Sequence, residues 1–484
     1  MKKLFVVLLV VVVLAFVMPF YAGFKAKQEL DQVVVLLNSN PGYEAEWSYY
    51  EKSWLATEAV LRIALNAGVD GDSGAARIID IEVNIAIEHG PILPSTPVSL
   101  GWFAYNLKLS EQPSHYLSQY LTTKEGGDLF YSDGYMTLAG IVHVNNQVAP
   151  FTAESDGVKA NFDGYIGAGT LEPSGLFRYA GEAEGLTLII DDLGERAEIT
   201  LSASSLALES DYGRLVKGTN MMPSKVTYKL PKVSMLADGS LSEFNDIAVN
   251  AEATLPEGAG IIDFVMGLKV ANGYLDDEKI NNLELVFSYD RISLQFIQGY
   301  MKMMEDSLAN PDRMPDFTAY FTDEVIAEAL GYQPGFSVKT LAFELVDGTF
   351  KTDMTLRIDT MDDVNSALIA ANPMVLLQNI LLDLNVLVDK PLAERLAKTQ
   401  TLGAVEARII EEQEAGAVGT YTEEQVQEMV SQEAVMMLEM LIMQGLIVDE
   451  KDSYKSTVKL EKGETVINGS PMPIPLGALL GLGM

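Results

Sequence analysis

Ile79-Asp80-Ile81-Glu82-Val83-Asn84-Ile85-Ala86-Ile87-Glu88 is the stretch that decides the fold. Five β-branched residues alternate there with Asp, Glu, Asn and Ala. Successive side chains leave a strand on opposite sides, so this pattern means a sheet with one buried face. A helix would scatter the same five residues around its axis. His89-Gly90-Pro91 ends the run.

On the N-terminal side, Gly68 to Gly74 reads as a turn and Ala56–Leu65 as the preceding strand. Trp47-Ser48-Tyr49-Tyr50-Glu51-Lys52-Ser53-Trp54 is an aromatic lead-in. On the C-terminal side the same grammar continues to about Asp290. Its strand-like runs include Met136–Val144, Val158–Ile166, Leu186–Ile190, Ala197–Leu208, Lys225–Leu230, Asn245–Thr254 and Asn282–Tyr289. Turn pairs such as Asp238-Gly239 and Asn272-Gly273 separate them. No helix-length amphipathic run interrupts this series, which favours an antiparallel meander over an α/β fold.

Helical patterns come later, at Ile292–Met304, Thr322–Leu330 and Asp362–Ala371. Phe336–Val346 and Thr349–Ile358 form a hairpin around Asp347-Gly348, and Leu382, Leu384, Val386 and Val388 alternate as a strand. Pro391 suits the first turn of another helix. Thr422, with Glu423 and Glu424 behind it, caps a helix running to about Gln444. A last hairpin, Tyr454–Leu460 with Thr465–Ile467, turns at Lys462-Gly463, and an apolar tail follows Pro471.

At the N-terminus, Lys2 and Lys3 precede an uncharged apolar run, residues 4–24, broken only by Pro19. That length crosses a bilayer core of roughly 30 Å. Lys25 and Lys27 close it. A signal peptide has a shorter apolar core and small residues before its cut. Here a cut after Ala22 or Ala26 would require a small residue where Phe20 or Phe24 stands. The run therefore reads as an uncleaved single-pass anchor, and the absence of cysteine removes any lipoprotein alternative. Lys2 and Lys3 favour a cytoplasmic N-terminus and an exported body. Glu29 to Asn38 extends the helix as a stalk until Pro41-Gly42.

The expected class is α+β. A transmembrane helix leads into a long antiparallel meander forming a curved sheet, with helices concentrated in the C-terminal half. Residues 1–27 are anchor and flanks, 28–290 a β-rich periplasmic region, and 291–484 a mixed helix and hairpin region packed on the same sheet. The formal charge of −35 disfavours nucleic acid and anionic headgroups as partners of the body. It reads as an acidic coat for solubility, or as a surface for cations or a basic partner.

The chain resembles the YdgA-like family of bacterial envelope proteins, a domain family of unassigned function. The resemblance rests on the lysine-flanked anchor, Tyr49-x-x-Lys52-Ser53-Trp54, and the alternating strand ending in His89-Gly90-Pro91. It also rests on Tyr454-x-Ser456-x-Val458-x-Leu460, Gly463 and Val466-x-Asn468-Gly469. Ser53 departs from the pattern, which tends to have glycine there. The resemblance implies an inner-membrane anchor with a periplasmic body, and it carries no catalytic residues.

Chemistry-bearing motifs are sparse. His89, His115 and His143 are far apart and have no cysteine support, so no metal and no cofactor is expected. Asp70-Gly71-Asp72-Ser73-Gly74 has Ile81 where a calcium loop needs a bidentate glutamate. Gly167-Ala168-Gly169 lacks the third glycine of a phosphate cradle and reads as a site of tight packing. Asp191-Asp192, Asp276-Asp277 and Asp362-Asp363 are ordinary solvated acids.

His89, Gly90 and Pro91 read as a structural strand end. Met429, Met436, Met440 and Met443 share one face of the helix after Thr422. That face either fills a core or forms a groove for a hydrophobic ligand or partner. Two functions follow: a non-enzymatic scaffolding or assisting role in the envelope, or lipid or lipoprotein handling along an apolar groove. Hydrolysis or glycan chemistry is the weakest reading. The partners expected are the membrane, envelope proteins or lipid, with self-association left open.

Overall fold

The computed structural model describes residues 43–472 with breaks at 70–75, 98–99, 110–120, 125–127, 156, 193–194, 218, 220, 238, 276–277, 310–315, 360–378, 415–420 and 462–463. It also describes seven helical positions between residues 27 and 38. The chain divides into two compact units, Met1–Leu241 with Leu308–Pro311, and Ser242–Ser307 with Asp312–Met484. The border expected at residue 290 falls inside a strand of the second unit, Glu278–Ser293.

In the first unit, β1 (Tyr43–Lys52), β2 (Ala56–Val69), β3 (Ala76–His89) and β4 (Gly101–Leu109) pair antiparallel in sequence order. The period-two reading shows in burial over residues 84–87, where Asn84 and Ala86 are exposed and Ile85 and Ile87 buried. Ile85 and Ile87 are 5% exposed and cluster with Ala45, Ala59 and Leu61. Leu30, Val34 and Leu37, spaced four and three apart on one helical face, pack over that cluster. The helical stretch expected as a stalk is thus docked on the sheet. The Trp47 indole donates to Asp31 at 3.2 Å, and Asn38 exchanges two hydrogen bonds with the Ala45 backbone at 2.6 and 2.8 Å.

Beyond β4 come β5 (Leu121–Thr123), β6 (Phe130–Thr137), β7 (Val142–Val148), β8 (Phe151–Ser155), β9 (Val158–Phe162) and β10 (Tyr165–Leu171). β11 (Leu176–Ala183), β12 (Leu186–Asp192), β13 (Glu195–Leu201), β14 (Ser204–Asp211) and β15 (Ser224–Ala237) complete the unit. They form two antiparallel runs. One continues β4-β6-β7-β10-β11-β14-β15; the other is β5-β8-β9-β12-β13-β15.

Neighbouring strands pass from one run to the other through short interruptions at 149–150, 163–164, 184–185 and 202–203. β15 belongs to both runs and carries Pro231 between its two pairing segments. Here the sequence reading needs correction. Met136–Val144, Val158–Ile166 and Ala197–Leu208 are each two strands. Gly140 and Gly164 take positive φ, +85° and +115°, which breaks the extended path. Ser202 binds Lys232 through its hydroxyl and its backbone, holding the third break open at 2.9–3.0 Å.

The second unit is one antiparallel sheet, in sequence order from the first of its strands to the sixth, after which the eighth pairs with the sixth, and it is partly covered by helices. Its strands are β16 (Ser240–Thr254), β17 (Ile261–Leu275), β18 (Glu278–Ser293), β19 (Gly335–Leu345), β20 (Gly348–Ile358) and β21 (Ile380–Asp389). β22 (Val448–Asp449), β23 (Ser453–Glu461), β24 (Glu464–Ile467) and β25 (Ser470–Met472) end it. α1 (Leu294–Ala309) begins two residues later than the expected Ile292, because Ile292 and Ser293 still pair with β17. α2 (Phe317–Tyr320) and α3 (Asp323–Gly331) follow, and Phe321, Ile326 and Leu330 pack with Phe296 and Ile358.

α4 (Lys390–Glu414) carries Pro391 in its first turn, and Thr422 with Gln425 forms a capping box on α5 (Glu423–Met443). The helix expected at Asp362–Ala371 and the tail beyond Met472 lie outside the described residues. Among the described residues no helix is long and apolar enough to cross a membrane, and residues 4–24 lie outside them.

The alternation makes a direct prediction. Ile85→Ala removes buried apolar volume and should cost about 2–5 kcal/mol. Asn84→Ala, on the exposed side of the same strand, should stay within about 0.5 kcal/mol. Denaturant melts of the two variants check this; equal losses would contradict a one-faced strand.

Candidate apolar binding face

The register of the second run places its side chains in rows. Phe151, Phe162, Leu186, Leu201 and Val233 are in line, and the next row on the same face is Ala153, Ala160, Leu188, Ile199 and Met235. The opposite face carries Thr152, Asn161, Thr187, Thr200 and Ser234. The first face is therefore apolar throughout, yet none of its ten residues in these rows is buried. Met235 is 43% exposed, and Val158 and Ile190 in the following row are 39% and 37% exposed. This differs from β1–β4, where the helical positions cover the same kind of surface.

Where the apolar face crosses the interruptions, it forms an open-sided cavity of about 520 Å³. Val148, Tyr165, Leu206 and Tyr228 line it from one run, Phe151, Phe162 and Leu186 from the other. No lining residue is ionisable other than the two tyrosines. That size and lining suit a small apolar ligand, since burying apolar surface there is worth roughly 25 cal/mol per Å². On the other face of the sheet lies a groove of about 700 Å³ with a mixed lining, Asp133, Asn145, Glu182 and Lys229 beside Ile166 and Ala168 among others.

The motif residues meet at a corner instead. His89 is 1% exposed. Its Nε2 lies 3.0 Å from the Thr57 hydroxyl and its Nδ1 3.4 Å from the Trp54 carbonyl. A neutral imidazole satisfies both, with Nδ1–H donating to Trp54 and Nε2 accepting from Thr57. Ser53 closes the β1–β2 turn, donating to the Ala56 carbonyl at 2.9 Å and accepting from the Ala56 N–H at 3.1 Å. Gly90 cannot carry a side chain, since a Cβ there would stand 1.7 Å from the Gly101 carbonyl oxygen.

At the other end of the chain, Asn468 donates to the Gly445 carbonyl and accepts from the Thr457 N–H, both at 2.8 Å. Ser456 donates to Leu446 at 2.7 Å. These contacts latch the end of α5 to β23. A family model described as "Bacterial protein of unknown function (DUF945)" matches residues 1–475. The chain belongs to this family. No curated protein and no solved structure shows significant similarity to it.

Within this DUF945 chain, the methionine face sits differently from the core reading. Val430, Ala434 and Leu438 point into the body, at 2%, 1% and 8% exposure, the latter two against Ala397 and Tyr454. Met429 is half-buried, whereas Met436, Met440 and Met443 are 58%, 46% and 81% exposed. Helical spacing groups the methionines correctly but does not say which face meets α4. Burial of Ala434 and Leu438 against Ala397 sets that orientation, and Arg408 pairs with Glu433 at 2.5 Å. Of the flanking lysines, Lys27 pairs with Asp31 at 2.6 Å and lies over the Tyr50 ring; Lys2, Lys3 and Lys25 are outside the described residues.

His143 stacks on Tyr135, His115 lies outside the described residues, and no metal-binding group occurs among those described. Sequence reading missed the cavity residues. The available signal was Gly167-x-Gly169 with Gly181 beside Tyr165 and Tyr179.

Two predictions follow from these placements. Leu438→Ala should cost about 2–5 kcal/mol and Met436→Ala no more than about 0.5 kcal/mol, measured by melts. Burial holds the His89 imidazole below its ordinary pKa of 6.5, against the raising effect of the Trp54 carbonyl, and Lys52 adds to the lowering. Below that pH the unfolded chain binds a proton that the folded chain refuses, so stability falls as pH drops. From about pH 7.5 to 5.5 the wild type should lose more melting temperature than His89→Gln. Parallel losses would mean the imidazole is not held neutral.

Proposed function

We propose that the chain is a non-enzymatic, membrane-anchored protein of the bacterial envelope that holds a lipid-like apolar ligand in its first unit. The observation that carries this is the apolar face of β8, β9, β12, β13 and β15. None of its residues is buried, and its cavity of about 520 Å³ has no acidic, basic or imidazole side chain in its wall. A face that only stabilised the fold would be covered, as it is over β1–β4.

The anchor through residues 4–24, with Lys2 and Lys3 on the cytoplasmic side and the body in the periplasm, places such a ligand beside its source. The YdgA-like motifs support the same location. A purely scaffolding role is the weaker reading, because it leaves the cavity without a purpose.

The test is quantitative mass spectrometry of lipid retained by the full chain purified from bacterial membranes. Leu186→Asp places a carboxylate in the cavity wall, where an apolar chain cannot compensate its desolvation. It should lower retained lipid at least about fivefold with little change in melting temperature. Equal retention by the variant, or none by the wild type, would end the proposal.

A further inference from the structure

A polar bar crosses the apolar face beside the cavity. Ser132 donates to Asn146 Oδ1 at 2.7 Å, Asn146 Nδ2 donates to the Tyr179 hydroxyl at 3.3 Å, and the Tyr179 and Tyr165 hydroxyls are 2.6 Å apart. The rings lie across glycines of the neighbouring strands. A Cβ at Gly167 would stand 2.0 Å from the Tyr179 oxygen, and one at Gly181 would stand 2.0 Å from the Tyr165 oxygen. Gly167 and Gly181 are a cross-strand pair, so both phenols are packed down onto the sheet at one point.

The two phenols hold two O–H protons and use one between them. Tyr179 accepts from Asn146, and the cooperative one-way chain of hydrogen bonds is the one in which Tyr179 then donates to Tyr165. The Tyr165 proton then has no acceptor among the described residues. Tyr165 also lines the cavity, whose wall otherwise offers the Ser204 and Tyr228 hydroxyls and no charged side chain. We infer that the ligand is an uncharged diacyl glycerolipid, with an ester carbonyl accepting from Tyr165 and an acyl chain in the cavity. An alkane would leave the donor unpaired, and a buried donor without a partner is disfavoured. A carboxylate would find no cation in the wall. Burial, with Tyr179 beside it, also drives the Tyr165 phenol upward in pKa, as expected where negative charge is unwelcome.

The inference rests on the cavity holding a lipid, and the experiment separates the two claims. The full chain is titrated calorimetrically with dioctanoylglycerol and with its dialkyl ether counterpart, which lacks both carbonyls. The wild type should bind the ester about five- to tenfold more tightly, and Tyr165→Phe should bind the two alike. Ester and ether bound equally by the wild type would overturn the ester assignment and leave the apolar site standing. Binding of neither would overturn both. Should Tyr165→Phe fail to fold, the infrared carbonyl band of the ester on the wild type decides. A shift to lower frequency than in an alkane solution supports the Tyr165 hydrogen bond, and an unshifted band removes it.

Discussion

An antiparallel sheet with one apolar face has to cover that face or leave it for something else to cover. The chain meets this constraint in three ways. Over β1–β4 a short helical segment supplies Leu30, Val34 and Leu37. In the second unit the helices do it, with Ile326 and Leu330 at one place and Ala434 and Leu438 against α4 at another. Over β8, β9, β12, β13 and the end of β15, nothing among the described residues buries it. The same period-two rule generates all three surfaces, so the third differs in its cover and not in its construction.

This difference explains what was legible beforehand. Strand character depends on residues two apart, and Ile79 to Glu88 announces it without any partner in view. Helix caps are equally local: Thr422 and Gln425 form their box within one turn. The binding face depends on lateral register. Phe151 and Phe162 meet, with ring centroids 5.2 Å apart, only because β8 pairs with β9 at one offset. The breaks at 163–164 and 202–203, where the chain passes between the two runs, read as continuous strands in the sequence, since a single glycine or a serine side chain decides each of them.

The motifs that suggested a family mark corners of the fold. Lys52-Ser53-Trp54 and His89-Gly90-Pro91 converge, because His89 reaches back to Trp54 and Thr57. Asn468 and Ser456 tie the second unit's last helix to its sheet. Such positions admit few residue types for steric reasons: Gly90 has a carbonyl oxygen where a Cβ would go. The methionines of α5 show the converse. Their spacing is legible, but a stripe of flexible apolar side chains fits a core or a surface equally well, and the burial of Val430, Ala434 and Leu438 leaves it outward.

Gly167 and Gly181 connect these threads. Glycine inside a strand weakens it and has no side chain to pack. Facing glycines on adjacent strands compound that weakness unless something else occupies the space. Tyr165 and Tyr179 occupy it, and their rings restore the lost apolar contact while their hydroxyls join the bar from Ser132 and Asn146. Apolar residues at both glycines would have filled the sheet more simply. They would also have removed the room that lets two phenols lie flat, and with it the paired hydroxyls at the edge of the apolar cavity. The arrangement is costly as architecture and coherent as recognition: an acidic chain with net charge −35 repels anions at a distance, and a wall without cations gives them no refuge once inside.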